Sequence, residues 1–295
     1  MTAMPPFHPD LQAARRFPRV SLGPRSLCVV RTLGRLARPD GRVPVVPVSP
    51  DVAVRLFRPA GPGPFPALLW VHGGGLVLGT AATDDVFCRR VSEELGAVVA
   101  SVEYRLAPEH PYPVPLEDCW TALTWLVGRV DVDPGQVAVG GASAGGNLAA
   151  GAALLARERG VELAFQLLVY PMLDDRTTTR TDLDTSAVRI WTPGSNRFGW
   201  SAYLGGRTEV PATAAPARAQ DLAGLPPTWI GVGTDDLFHD EDVTHARRLR
   251  AAGVDVELVE VPGAYHGFDA VQRSAPVSRD FTTAQVQALR RALLG

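Results

Sequence analysis

Six near-continuous apolar runs punctuate the chain: Ala67 to His72, Ala97 to Glu103, Val137 to Gly140, Phe165 to Tyr170, Thr228 to Val232 and Val254 to Val261. Between them the apolar positions take a helical step. Leu116, Trp120, Leu123 and Val127 recur every three or four residues, Asn147 to Arg159 is rich in Ala and Leu, and Glu241 to Ala252 and Phe281 to Leu294 read similarly. Strands that are apolar throughout are buried on both faces, so strands alternating with helices predict a parallel sheet covered on both sides. Upstream, Val43 to Val48 and Val52 to Arg58 flank the turn signal Ser49-Pro50-Asp51 and predict a hairpin.

Two stretches break this rhythm. The first 40 residues or so are rich in Arg and Pro with weak periodicity, and read either as a helical or irregular arm or as a disordered tail. From about Asp174 to Gly206 the chain is rich in Thr, Asp and Arg, then carries Trp191, Phe198, Trp200 and Tyr203. An excursion of that length between sheet elements is a candidate lid over a binding site, the alternative being a surface excursion with two small helices.

Composition narrows the chemistry. With 295 residues, 46% of them hydrophobic, there is ample material for a large core. The net charge of −2 leaves no basic surplus to engage phosphates, so nucleic acid is not an expected partner. All 29 basic residues are arginine. The absence of lysine removes the Walker A phosphate loop, the kinase lysine, the pyridoxal Schiff base and the Ser-Lys dyad. Cys28, Cys88 and Cys119 are odd in number and widely spaced, which predicts neither a zinc cluster nor a disulfide framework. No secretory h-region and no run near the ~20 residues of a membrane span appear, so the expectation is a soluble, cytoplasmic protein without a metal.

The sharpest motif is Gly141-Ala142-Ser143-Ala144-Gly145, placed between the apolar run ending at Gly140 and a helical segment. G-x-S-x-G at a strand–turn–helix junction describes a nucleophile elbow, where small flanking residues permit a tight, strained turn. The second is His72-Gly73-Gly74-Gly75, directly after a strand, where glycines let backbone N–H groups approach a substrate oxygen. A serine nucleophile needs a base and an orienting acid that follow it in the order acid, then histidine. Of the histidines after Ser143, His266 lies on the loop past the last strand; His239 and His245 belong to an acidic helix start and read as solvated. For the acid, Asp235 and Asp236 compete after the strand ending at Val232, while Asp240, Glu241 and Asp242 read as first-turn helix charges. A metal site from His239, Asp242 and His245 is a remote alternative.

Together with the block Tyr104 to Pro113 (YRLAPEHPYP), these motifs resemble the hormone-sensitive-lipase-like family of serine esterases, the bacterial family IV carboxylesterases, from about Phe65 to Phe268. The resemblance implies an α/β-hydrolase fold: a central, mostly parallel eight-stranded sheet, helices on both faces and a small helical cap. It implies residues 1–40 as a cap arm and 41–295 as the catalytic domain, with a cap insertion at about 174–210. The family's acid motif, anchored on Asp240-Glu241, selects Asp236 to complete a triad with Ser143 and His266. The oxyanion hole is implied at Gly74, Gly75 and Ala144, supported by His72, Gly73, Gly141 and Gly145, while Glu109 and His110 are implied to be structural. Two departures stand out: Ala142 where many members carry Asp, and Leu237 where Pro is common. The activity implied is hydrolysis of short-chain carboxylic esters, small molecules, through an acyl-enzyme and without a cofactor. Alternatives are another acyl bond (lactone, amide, acetylated natural product) or a binding protein like the plant gibberellin receptors, which lack the catalytic histidine. The alternating run Val254 to Val261 offers an edge strand for a homodimer.

Overall fold

The computed structural model describes residues 7–36 and 40–295. The expected arm is therefore seen over 7–36, and residues 1–6 and 37–39 lie outside the described part. Eight strands form one sheet: β1 (Val45–Pro47), β2 (Ala53–Phe57), β3 (Phe65–Val71), β4 (Val98–Glu103), β5 (Val132–Ala142), β6 (Phe165–Val169), β7 (Thr228–Gly233) and β8 (Val256–Val261). Their order is β1-β2-β4-β3-β5-β6-β7-β8. β1 and β2 form the expected hairpin and β2 runs antiparallel to β4, whereas every later pairing is parallel. β5 begins five residues before its apolar run, because Val132 pairs with Phe65 across a register shift that exposes Pro134 and Gly135. Those polar and turn-forming residues hid the strand's start from an apolar pattern.

Helices cover both faces. α3 (Val114–Val127), α4 (Ala144–Glu158) and α6 (His239–Ala251) pack on one, and α2 (Asp85–Leu95) and α8 (Pro276–Leu294) on the other. The period of two along β3 feeds both cores: Leu69 and Val71 join the first, Leu68 and Trp70 the second. Nearly all of α4 is buried, and its Ala and Gly residues let it lie close to the sheet behind the elbow. Among the described residues no helix is long and apolar enough to cross a membrane.

The arm and the insertion meet each other over the sheet's C-terminal edge. The arm comprises a 3-10 segment at Pro9–Arg16 and α1 (Pro24–Leu36); the insertion includes α5 (Pro193–Leu204). Ser21 Oγ lies 2.8 Å from Thr192 Oγ1, the Leu22 N–H donates to Ser195 Oγ at 2.8 Å, and Arg189 donates to the Ala14 carbonyl at 3.0 Å. Arg31 of α1 donates to the carbonyls of Val77 and Ala107 and pairs with Glu109 at 2.7 Å. Glu109 thus holds the arm down. Behind it, Asp118 accepts from the backbone and guanidinium of Arg105, which fixes the Tyr104 to Pro113 block against α3.

Candidate active site

β5 delivers Ser143 to the rim of the sheet in a conformation that few side chains adopt, φ 57° and ψ −120°. Such a backbone costs on the order of 1–3 kcal/mol and persists only when its surroundings hold it. Here the Ser143 N–H donates to the Val169 carbonyl at 2.8 Å, and its own carbonyl accepts from Asn147 and Met172. The turn is also too tight for side chains: a Cβ on Gly145 would lie 2.0 Å from the Val71 carbonyl oxygen.

The loops after β7 and β8 bring in the partners. His266 Nε2 is 2.9 Å from Ser143 Oγ, and His266 Nδ1 is 2.8 Å from Asp236 Oδ2. The other Asp236 oxygen, Oδ1, accepts from the Phe238 N–H at 3.0 Å, so the carboxylate is pinned at both ends. Ser143, Asp236 and His266 are all buried. The imidazole is also held edge-on by two aromatic rings that the sequence did not single out, Tyr170 at 4.9 Å and Phe238 at 5.2 Å between centroids. Asp235 stands apart from this relay: its N–H donates to the Ala264 carbonyl, and its Oδ2 has no partner among the described residues.

The His72–Gly75 loop lies alongside. Gly73, Gly74, Gly75 and Ser143 line a common cavity of about 500 Å³. Among the described residues the N–H groups of Gly74, Gly75 and Ala144 donate to no backbone carbonyl, which leaves donors unspent beside the serine. Gly75 has φ +61°, and a Cβ there would lie 1.9 Å from the Trp191 ring, so the insertion presses directly on this loop. His72 is fully buried, stacks on Tyr104 at 4.3 Å and has Nδ1 2.7 Å from the Gly73 carbonyl. Burial pushes its imidazole down to about 4, so it is neutral and shapes the loop. The rest of the wall comes from the arm (Val20, Leu22, Val30) and the insertion (Ile190, Trp191), beside Asp84, Tyr170 and Val271.

One sequence expectation fails. His245, Glu241 and Asp242 are buried rather than solvated. The 3-10 segment Asp175–Thr179 and the chain leading into it fold over the first turn of α6, where Glu241 accepts from the Leu173 and Asp174 N–H groups and from the Thr177 hydroxyl. Burial lowers His245 to about 4 and raises both carboxyls well above their usual range. His239 instead faces Glu260 at 2.7 Å. Among the described residues no three His, Cys, Asp or Glu side chains gather as a metal cluster, these included.

Comparison with known proteins places this geometry. Residues 68–270 match the family described as alpha/beta hydrolase fold. The chain belongs to it. Within that family it falls with the hormone-sensitive-lipase-like esterases. It is 38% identical to the carboxylesterase NlhH of Mycobacterium tuberculosis over 259 residues, 82% of this chain and 79% of that protein. It is 36% identical to the esterase LipI of the same organism, over 96% of this chain and 88% of the relative. Among solved structures, a bacterial heroin esterase superposes with a TM-score of 0.86 at 39% identity, covering 98% of both chains.

Proposed function

We propose that this α/β hydrolase is a serine carboxylesterase that cleaves short-chain carboxylic esters through an acyl-enzyme. The observation that carries the reading is the unbroken relay Asp236–His266–Ser143, at 2.8 and 2.9 Å, on the floor of a cavity beside unspent N–H donors. The similarity to carboxylesterases over most of the chain supports the ester as substrate.

Ser143 Oγ attacks the ester carbonyl while His266 Nε2 takes its proton. Asp236 keeps the remaining imidazole proton on Nδ1 and balances the imidazolium charge. The N–H groups of Gly74, Gly75 and Ala144 receive the tetrahedral oxyanion, each worth about 2.7–4 kcal/mol. His266 then protonates the leaving alcohol, and water, activated by the same imidazole, releases the acid. No step calls for a metal or an organic cofactor.

Residues 1–40 and about 174–210 act as the cap in this reading, since the insertion and the described part of the arm supply walls to the cavity and bond to each other. A cavity of about 500 Å³ sits within the ~300–1,000 Å³ of clefts that enclose one small ligand, which favours short acyl chains over triglycerides. At the end of the sheet, β8 is the edge through which two copies would pair.

The test is hydrolysis of p-nitrophenyl esters of increasing acyl length, with Ser143→Ala alongside and a fluorophosphonate to label the nucleophile. Fast turnover of the short esters, lost with the label in Ser143→Ala by some 10⁴–10⁶-fold, supports the reading. Labelling at another residue, or near-normal turnover in the variant, overturns it.

A further inference from the structure

Six of the ten large apolar side chains left exposed among the described residues gather around the mouth of the cavity beside Ser143. Val20, Val30, Ile190 and Val271 line the cavity at its lip, and Val29 and Leu33 carry the patch outward along α1. Val20 is 68% exposed and Leu33 62%. Helix geometry explains the stripe. Leu27 and Arg31 fix the inner face of α1, Leu27 in the core and Arg31 on the Val77 and Ala107 carbonyls. Val29 and Leu33 each lie two residues further on, turned about 200° away, on the outer face. A surface helix normally carries polar residues there.

A separate observation concerns charge. Residues 7–36 hold six arginines against a single acid, Asp10. That acid is spent on the Val277 N–H. Arg31 pairs with Glu109, and Arg19 donates to the Thr185 carbonyl. Arg15, Arg16 and Arg25 are exposed, and among the described residues they make neither an ion pair nor a side-chain hydrogen bond. An apolar patch edged by uncompensated guanidiniums has the chemistry of a face that settles on anionic lipid, with its valines among the acyl chains and its arginines at the phosphates.

We propose that α1 and the cavity rim dock on an anionic lipid surface, and that esters dissolved in that surface enter the cavity from it. Charge and position together select this occupant. A second copy seated symmetrically on the same patch would set two groups of unpaired guanidiniums against each other. A folded protein on this face would cover the entrance that substrate must use. A lipid layer does not block it: the layer is fluid, apolar esters partition into it, and the cavity mouth opens towards it. The docking stands independently of the esterase reading, whereas the entry of an ester from the lipid rests on that reading.

The experiment uses the whole protein and two vesicle preparations, pure phosphatidylcholine and an equimolar mixture with phosphatidylglycerol. Co-sedimentation should show binding to the anionic vesicles tighter by on the order of tenfold or more, and the advantage should shrink as salt is added. Val29→Ser with Leu33→Ser, and separately Arg15→Gln with Arg16→Gln and Arg25→Gln, should each weaken that binding by on the order of tenfold. Both variants should keep their turnover of p-nitrophenyl acetate in plain buffer, because none of the substituted side chains lines the cavity. A naphthyl ester dissolved in the anionic vesicles should be hydrolysed more slowly by both variants than by the unmodified protein. Equal binding to the two vesicles, no binding, or binding that survives both sets of substitutions overturns the docking face. A dimer in lipid-free buffer that dissociates in Val29→Ser with Leu33→Ser gives the patch to a second copy. Polyglutamate binding without vesicle binding gives it to an acidic protein, and either result overturns the lipid. Equal rates on the vesicle-dissolved ester overturn entry from the lipid. If no ester is hydrolysed in any form the esterase reading fails, and selective vesicle binding still supports the docking.

Discussion

Asp236→Asn tests the relay at its most constrained point. The carboxylate has two fixed jobs: Oδ1 accepts from the Phe238 N–H at 3.0 Å and Oδ2 faces His266 Nδ1 at 2.8 Å. Its side chain has no exposure, so water cannot substitute for either contact. An asparagine amide offers one acceptor where two are needed. With its oxygen kept on the Phe238 N–H, the NH₂ group meets Nδ1 and forces the imidazole proton onto Nε2, which then cannot take the proton of Ser143. With the amide flipped, two donors collide at Phe238 instead. The wrong tautomer in a triad costs about 10⁴ in kcat, equivalent to ~5 kcal/mol of transition-state stabilisation. The assay is kcat on p-nitrophenyl acetate, with imidazole nitrogen NMR to read the tautomer. Asp235→Asn is the internal control, since Asp235 does not touch His266, and it should stay within a few-fold. The reasoning is refuted if Asp236→Asn keeps more than a tenth of the activity, or if Asp235→Asn is the more damaging change.

Three further outcomes follow from named contacts. Gly75→Ala places a methyl 1.9 Å from the Trp191 ring and should lower kcat by about 10²–10³, the cost of a displaced oxyanion donor, with partial recovery when Trp191→Ala is added; no recovery would place the damage in the backbone and not in the clash. Asp118→Ala removes the acceptor for the Arg105 N–H and guanidinium and should cost ~2–3 kcal/mol, read as a lower Tm, with a smaller loss in Asp118→Asn. Asp84 has its carboxyl raised from 3.8 to about 6, chiefly by burial and then by Asp269 and Asp85, against the opposing Trp70 bond and Arg273. The folded form therefore holds more protons than the unfolded one between those pH values, and stability drains as pH rises through them. Asp84→Asn should gain in Tm over the unmodified protein above pH 6 and show the smallest difference near pH 4; a gap that does not widen with pH would contradict this.

The layout of the candidate triad was legible because each member sits where a local signal ends. Ser143 follows a strand and opens a helix, and His266 lies past the last apolar run. Between Asp235 and Asp236 the local pattern was undecided, and only the resemblance chose. The side-chain geometry favours the same residue for a reason that no sequence window contains: Asp236 meets an N–H two residues on and an imidazole thirty residues away. The walls of the cavity were less legible. Val20, Trp191 and Val271 come from the arm, the insertion and α7 (Phe268–Val271), and they converge through arm–insertion contacts that separate apolar residues do not announce.

The hardest residues to read were acids at helix starts. A carboxylate in a first turn complements the helix dipole and is normally solvated, so the pattern alone assigns it to the surface. This chain puts that one pattern to three uses. Asp240 stays exposed and pairs with Arg180. Glu241, its neighbour, is buried because the Asp175–Thr179 segment folds over it and supplies N–H and hydroxyl donors. Asp84 forgoes its cap and turns to Trp70 at the wall of the cavity beside Ser143. What separates the three is the tertiary partner laid across each helix start. The cost of burying the Asp84 carboxylate is the pH-dependent loss of stability expected above, which Asp84→Asn should relieve.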